Sequence, residues 1–251
     1  DGIVITDFGA SSNDTVSAVL VQSDGKIVVG GTSANDFAVA RYLSDGTLDT
    51  SFSGDGKQTL DIAIANDEGR GLALQTDGKI VQAGTGFVGG VQNFALVRYN
   101  ADGSVDTGFG GGDGIVTTAI STDWNIAQAV EVQSDGKIVV GGYSRGLSDN
   151  DFTIVRYTST GTLDTSFGGG DGIVTTNWGS GDSVWGMSLQ SDDKIVVAGG
   201  TGSYDLAVAR YLSDGSLDTR FSGDGKQTIH LKFLEILYAV DVGPDGRMVA
   251  A

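Results

Sequence analysis

The sequence contains no cysteine, one proline and one histidine among its 251 residues. Without cysteine there are no disulfides, no cysteine-ligated zinc and no cysteine nucleophile. The lone histidine, His230, lies in a segment of divergent composition, which argues against Ser-His-Asp chemistry and multi-histidine metal sites. No apolar run approaches ~18 residues, so the sequence predicts no membrane span.

Positive charge is also scarce. Lysine and arginine total 15 against 32 aspartates and glutamates, which gives a formal net charge of −17. A surface this acidic repels phosphate backbones, so nucleic-acid binding is not expected. The charge favours solubility, and it would also suit cationic partners.

Glycine is abundant, at 41 residues, and much of it belongs to a repeat. The string Asp-Gly-Lys-Ile begins at Asp24, Asp77 and Asp135, and degraded copies begin at Asp192 and Asp245. A period in the 40s to 50s indicates a repeat architecture built from one supersecondary unit. A residue that is present in every unit is therefore interpreted first as part of the scaffold.

The third unit predicts four short strands, at residues 127–133, 137–141, 152–157 and 171–176. Ser-Asp-Gly at 134–136 is typical of a hairpin turn, because glycine adopts positive φ at little cost. Four antiparallel strands in ~50 residues predict an all-β fold, a β-propeller of four-stranded antiparallel blades. The rival parallel β-helix repeats its turns at about half this period.

Three segments resemble a known family. Residues 51–56 (Ser-Phe-Ser-Gly-Asp-Gly), 75–84 (Gln-Thr-Asp-Gly-Lys-Ile-Val-Gln-Ala-Gly) and 94–106 (Phe-Ala-Leu-Val-Arg-Tyr-Asn-Ala-Asp-Gly-Ser-Val-Asp) are similar to the delta-60 repeat. The resemblance covers nearly the whole chain and weakens after Thr228. It implies a β-propeller from a large bacterial, often extracellular, protein, and it implies no enzymatic activity.

The repeats predict a single β-propeller domain over residues 1–251, with five blades of which the last is incomplete in this sequence. A fragment of a six- to eight-bladed ring is the alternative. An outer strand that opens at Asp1-Gly2 is expected to complete the last blade. Because a sheet edge left in mid-blade is a liability, we also expect the chain to continue or another chain to pair there. The predicted repeats are 1–54, 55–112, 113–170, 171–223 and the partial 224–251.

One end of each predicted sheet carries nearly invariant Ser-Asp-Gly turns, whereas the loops at the other end differ in every unit. Loops on a rigid scaffold often carry binding residues, so the variable end is the predicted binding face. The opposing interpretation is that these loops drift because nothing constrains them, with Trp124 and Trp178 as packing residues between blades. Trp185 is expected in the core. The candidate ligand-binding residues are Asn13, Asp14, Asp67, Trp124, Asn125, Trp178 and Asp182.

Other recurring residues are assigned to structure. The Arg-Tyr pair, as in Arg98-Tyr99, predicts an arginine inserted between blades and paired with the aspartate of a Leu-Asp motif such as Asp164. Asp45, Asp49 and Asp55 raise the question of calcium, but their spacing matches no calcium loop and favours turns. No catalytic residue, metal site or cofactor is predicted.

The sequence thus predicts a non-enzymatic binding or display module of a secreted or surface bacterial protein. Its partner would be a protein or a glycan, with no membrane insertion. The alternative is a structural spacer or coat subunit of an extracellular assembly or filament, assembled with other chains through the incomplete last blade.

Overall fold

The computed structural model of the chain is built from antiparallel β-sheets. Among the residues that it describes, no helix is long and apolar enough to cross a membrane. The chain divides into two compact units, residues 1–119 and 120–251. The described residues are 2–9, 12–63, 66–145, 149–179, 181–203, 205–230, 237–243 and 245–251.

The first unit contains two four-stranded sheets, each a simple meander in which consecutive strands pair. Its core includes Phe37, Phe52, Ile80 and Tyr99, all fully buried. The strands are β1 (Asp14–Val21), β2 (Ile27–Ser33), β3 (Asp36–Tyr42), β4 (Lys57–Leu60), β5 (Glu68–Leu74), β6 (Ile80–Val88), β7 (Val91–Tyr99) and β8 (Ile115–Thr118).

The second unit contains two more four-stranded meanders and a two-stranded hairpin. Its core includes Phe152, Phe167, Val184 and Tyr211. The strands are β9 (Asn125–Val132), β10 (Ile138–Arg145), β11 (Asn150–Tyr157), β12 (Ile173–Thr176), β13 (Ser183–Leu189), β14 (Ile195–Gly200), β15 (Leu206–Tyr211), β16 (Lys226–Ile229), β17 (Val240–Val242) and β18 (Met248–Ala250).

The predicted four-stranded unit is confirmed, and its turns form as the sequence indicates. In the first-to-second turn of the third sheet, Asp135 Oδ1 accepts a hydrogen bond from Lys137 N at 3.0 Å, and Gly136 has φ 83°. The fourth sheet places Asp193 at the same position with φ 61°. Aspartate is one of the few residues that tolerate this left-handed conformation, so the degraded copy keeps the turn.

The recurring arginine is clamped by the recurring aspartate, as predicted. Arg156 Nε lies 2.8 Å from Asp164 Oδ2, and the guanidinium stacks 4.5 Å from the centroid of Phe167. Arg156 also donates to the carbonyl of Ser213 in the next sheet of its unit. The same ion pair forms at Arg41–Asp49, Arg98–Asp106 and Arg210–Asp218.

The opening outer strand is not present, because residues 2–9 form no strand. A strand needs a neighbouring backbone to complete its hydrogen bonds, and no described strand pairs with this segment. Instead, Thr6 Oγ1 accepts a hydrogen bond from Tyr42 Oη at 2.7 Å. The fifth repeat contributes β17 and β18. The prediction of a single domain stays a prediction.

Candidate functional site: the variable ends of the inner strands

Four of the predicted site residues occupy one equivalent position, where the first strand of a sheet begins. Asp14, Asp67, Asn125 and Asp182 each precede the first Asp of the Asp-Gly or Asp-Asp turn by ten residues. Each side chain accepts hydrogen bonds from its own incoming loop. Asp67 Oδ2 accepts from Ile62 N at 2.8 Å, and Asp182 Oδ2 accepts from Trp178 N at 2.7 Å. The fixed spacing was the sequence signal that these residues clamp loops.

Burial supports this structural role at three of the four positions. Asp67, Asn125 and Asp182 are each 0% exposed. Asn125 Oδ1 accepts from Ser121 N, and its Nδ2 donates to the carbonyls of Ser121 and Asp123. Asn125 therefore presents no polar atom to a ligand in solution.

Asp14 is exposed and accepts from Phe8 N at 3.1 Å. Hydrogen bonds, first that from Ser33, lower the pKa of Asp14, so its carboxylate is charged at neutral pH. Asn13 is also exposed, and it borders a cleft of about 330 Å³ in the first unit. Of the four loop-start residues, Asp14 alone keeps its carboxylate in solvent.

The predicted tryptophans separate into one surface residue and one packing residue. Trp124 is 40% exposed, donates from Nε1 to Asn150 Oδ1 at 3.0 Å and lies under the guanidinium of Arg145 at 5.1 Å. Trp178 packs against the core of the second unit, with its ring 5.6 Å from that of Phe152.

A bulge in each first strand was missed by sequence reasoning. The strand pairing skips one residue, and the skipped residue lies seven positions before the turn aspartate each time. In the fifth repeat, Tyr238 N and Ala239 N both donate to the carbonyl of Ala251, at 2.7 and 3.1 Å. A bulge leaves its extra residue out of the ladder and redirects its side chain. The bulge residues are Ser17, Arg70, Gln128, Trp185 and Tyr238.

Glycine in the second strand makes room for the bulge. A Cβ on Gly142 would lie 2.0 Å from the carbonyl oxygen of Ile126, and one on Gly199 would lie 1.9 Å from that of Ser183. The backbone of the bulge is therefore held constant while its side chain differs in every repeat. The glycines in the second strands were a sequence signal of the bulge.

In the first unit the bulge residues border a polar cleft. Ser17 and Arg70 line it together with Asn13, Thr15 and Glu68. The Arg70 guanidinium forms an ion pair with Glu68. This cleft could hold a small polar ligand through hydroxyl, amide and guanidinium groups.

In the second unit two of the bulge residues, Trp185 and Tyr238, form an aromatic row with Tyr143. The Trp185 ring lies 6.2 Å from that of Tyr143 and 5.7 Å from that of Tyr238, centroid to centroid. Trp185 is half-buried rather than in the core as predicted, and Tyr238 is 65% exposed. Tyr143 and Arg145 are two residues apart on β10 and project from the same face. The Arg145 guanidinium stacks on the Trp124 ring, so the surface that begins with the aromatic row extends through Arg145 to Trp124.

The single histidine is exposed and pairs with an aspartate. His230 Nδ1 lies 2.8 Å from Asp205 Oδ1, with 72% of the histidine side chain in solvent. The pair joins the end of β16 to the residue that precedes β15. The pair therefore links the adjoining ends of two neighbouring strands.

Comparison with known proteins identifies the repeat. Four segments match the family model described as "Domain of unknown function (DUF5122) beta-propeller", at residues 22–52, 75–109, 133–167 and 190–221, together more than half of the chain. The chain belongs to this family. The all-β propeller prediction is confirmed, and the narrower delta-60 identification stays a prediction. No curated protein matches the sequence.

Solved structures show the same fold at low sequence identity. A protein of unknown function from Bacteroides caccae is 12% identical, with a TM-score of 0.54 over 90% of this chain. A protein provisionally named a gluconolactonase is 12% identical, with a TM-score of 0.52; the alignment covers 94% of this chain and 70% of that one. A Lactobacillus plantarum protein is 13% identical, with a TM-score of 0.50 over 90% of this chain and 59% of that one. This chain spans 64% of the Bacteroides protein.

Proposed function

We propose that this propeller is a non-enzymatic binding module of a secreted or surface bacterial protein, and that it binds a glycan through the aromatic row of its second unit. The row consists of Tyr143, Trp185 and Tyr238. The observation that carries the proposal is the bulge, which turns Trp185 and Tyr238 out of a constant backbone into contact with each other.

The chemistry of the row suits a sugar. Aromatic rings supply large, flat apolar surface, and tyrosine and tryptophan also carry a polar atom at one edge. A pyranose ring has the matching character, with an apolar face and a rim of hydroxyl groups. Beyond the row, Arg145 and Asn150 provide donors and an acceptor beside Trp124. The acidic surface of the chain disfavours anionic glycans, so we expect a neutral one.

The test is a glycan array probed with the whole chain, followed by titration calorimetry on each sugar that binds. We expect Tyr238→Ala to weaken binding roughly two- to tenfold, the equivalent of one lost aromatic contact of about 0.5–1.5 kcal/mol. Trp185→Gln, which copies Gln128 of the preceding repeat, should weaken it further. Leu163→Ala, an exposed apolar residue beside a constant turn, is the control and should leave affinity unchanged.

Two results would oppose the proposal. One is an array without a binding sugar. The other is a glycan whose affinity is the same for the wild type, Tyr238→Ala and Trp185→Gln. Circular dichroism and thermal melting of each variant show whether its fold is intact, so a loss of binding is not confused with unfolding.

A further inference from the structure

A buried carboxylate oxygen at the start of β13 has no partner. Asp182 is 0% exposed, and its Oδ2 accepts the Trp178 N–H, but its Oδ1 makes no hydrogen bond of normal geometry. An unsatisfied oxygen on a buried charged group costs several times what a neutral hydrogen bond contributes. This oxygen requires an occupant.

A second unpartnered carboxylate oxygen lies in the adjoining segment. Asp182 N donates to the carbonyl of Asn150 at 2.7 Å, which places Asp182 beside Asp151. Asp151 Oδ1 is also buried without a hydrogen bond. Asp149 lies nearby, because its Cβ is 3.9 Å from the position that a Cβ on Gly181 would occupy. The carboxylate oxygens of these three aspartates do not all lie within 4.8 Å of one another, so Asp182 and Asp151 are the two that the geometry supports as ligands. Within the described part of the chain, no lysine or arginine forms an ion pair with these three aspartates.

The equivalent junction in the first unit shows how the shared backbone gathers carboxylates. There Asp67 N donates to the carbonyl of Asn35 at 2.8 Å, and carboxylate oxygens of Asp36, Asp61 and Asp67 lie within 4.8 Å of one another. Asp67 differs in one respect, because its Oδ1 accepts the Phe87 N–H at 3.0 Å.

At the second junction, Gly202 takes the place of Phe87 in the repeat. Its amide is near enough to lower the pKa of Asp182 slightly, but it leaves Oδ1 without a hydrogen bond of normal geometry. The fold thus satisfies this oxygen from its own backbone in one unit and leaves it open in the other.

We propose that Asp182 and Asp151, with Asp149 beside them, bind a divalent cation of the calcium class. Calcium takes carboxylate oxygens in flexible geometry, and this junction offers two that make no hydrogen bond and no ion pair with a described lysine or arginine. The site is distinct from the aromatic row and does not depend on glycan binding.

A proton is the rival occupant. Burial, with a smaller contribution from the nearby carboxylates of Asp151 and Asp149, raises the pKa of Asp182 to about 6. Burial also raises the pKa of Asp151.

The experiment is a calcium titration of the EDTA-treated whole chain by calorimetry at pH 7.5, with terbium luminescence excited through tryptophan as a second readout. Trp178 is bonded to Asp182 through its backbone, so its ring is a near donor for terbium. We expect saturable binding that Asp182→Asn weakens at least tenfold. Asparagine is native at the equivalent position of the preceding repeat, Asn125, so this variant should fold. Asp192→Asn, an exposed turn residue, is the charge-matched control and should bind as wild type.

Binding by the wild type at pH 7.5 that is lost in Asp182→Asn and kept in Asp192→Asn supports the site. No calcium or terbium uptake by the wild type would overturn it in favour of the proton. Uptake that Asp182→Asn leaves intact would overturn it too, and loss of that uptake in Asp67→Asn would assign the cation to the first unit instead.

Discussion

Removing Asp164 should be one of the most destabilising single changes in the second unit. Arg156 and Asp164 are 4% and 7% exposed. Among the described residues, Asp164 is the only carboxylate that forms an ion pair with the Arg156 guanidinium. Burial by itself would raise the pKa of Asp164, but hydrogen bonds from Ser166 and the charges of Arg156 and Lys137 hold it below its usual range. Asp164→Ala leaves the buried guanidinium of Arg156 without its ion-pair partner.

The cost of breaking a buried pair on one side is about 3–5 kcal/mol. At ~2–4 °C per kcal/mol for a chain of this size, the melting temperature should fall by roughly 6–20 °C. The control is Asp192→Ala, which removes the same charge from the exposed Lys194–Asp192 pair and should cost less than about 1 kcal/mol. The double variant Arg156→Met/Asp164→Leu should recover most of the loss, because it removes the stranded charge.

Urea unfolding followed by tryptophan fluorescence is the right assay. Trp124, Trp178 and Trp185 are the only tryptophans in the sequence, and all lie in residues 120–251. The signal therefore reports the unit that carries the substitution. If Asp164→Ala costs no more than Asp192→Ala, the repeated Arg–Asp pair is not a principal stabiliser and the argument fails.

Three further predictions use the same assay. Gly142→Ala should destabilise by more than about 2 kcal/mol, because its Cβ would meet the Ile126 carbonyl at 2.0 Å. Gly181→Ala, whose Cβ meets nothing nearer than 3.9 Å, should be neutral or slightly stabilising, and equal effects would contradict the bulge argument. Burial, and then Asp241, raise the pKa of Glu131 to about 7, so its contribution is fully present below its unfolded pKa and is lost as the pH rises through 7. The wild type should therefore be more stable at pH 5.5 than at pH 8 relative to Glu131→Gln, and parallel pH profiles would refute this. Asn125→Asp should cost about 1–3 kcal/mol, because a carboxylate there would face the carbonyls of Ser121 and Asp123 in place of a donor; wild-type stability at pH 8 would count against the clamp.

The scaffold could be predicted from the sequence because its signals are local and recur. Asp135-Gly136 specifies a turn, the apolar runs on either side specify strands, and Arg156 stands eight residues before Asp164 in a spacing that every complete repeat keeps. Asn125 and Asp182 show why the candidate site is harder to predict, because a polar residue on a variable loop resembles a binding residue even where its side chain also holds its own loop. Only their constant offset from the turn, ten residues, shows that they belong to the repeat.

The bulge could not be predicted from side-chain chemistry, because the bulge residue has none in common. Serine, arginine, glutamine, tryptophan and tyrosine share only their position, seven residues before the turn aspartate, and in the four complete sheets the strand pairing skips that position. The signal lies instead across the sheet, in the glycine that admits the displaced carbonyl. Gly142 and Gly199 look like ordinary strand glycines until the strand register is known.

The repeat also separates scaffold from recognition more sharply than loop variability does. Variable loops differ in length and in backbone, so their side chains could vary for lack of constraint. In the four complete sheets a glycine of the second strand fixes the backbone at the bulge, yet the side chain changes from Ser17 and Arg70 in one unit to Gln128 and Trp185 in the other. Variation at a position whose geometry is held constant is what selection on a ligand would produce. The polar cleft and the aromatic row therefore present different side chains from the same backbone geometry.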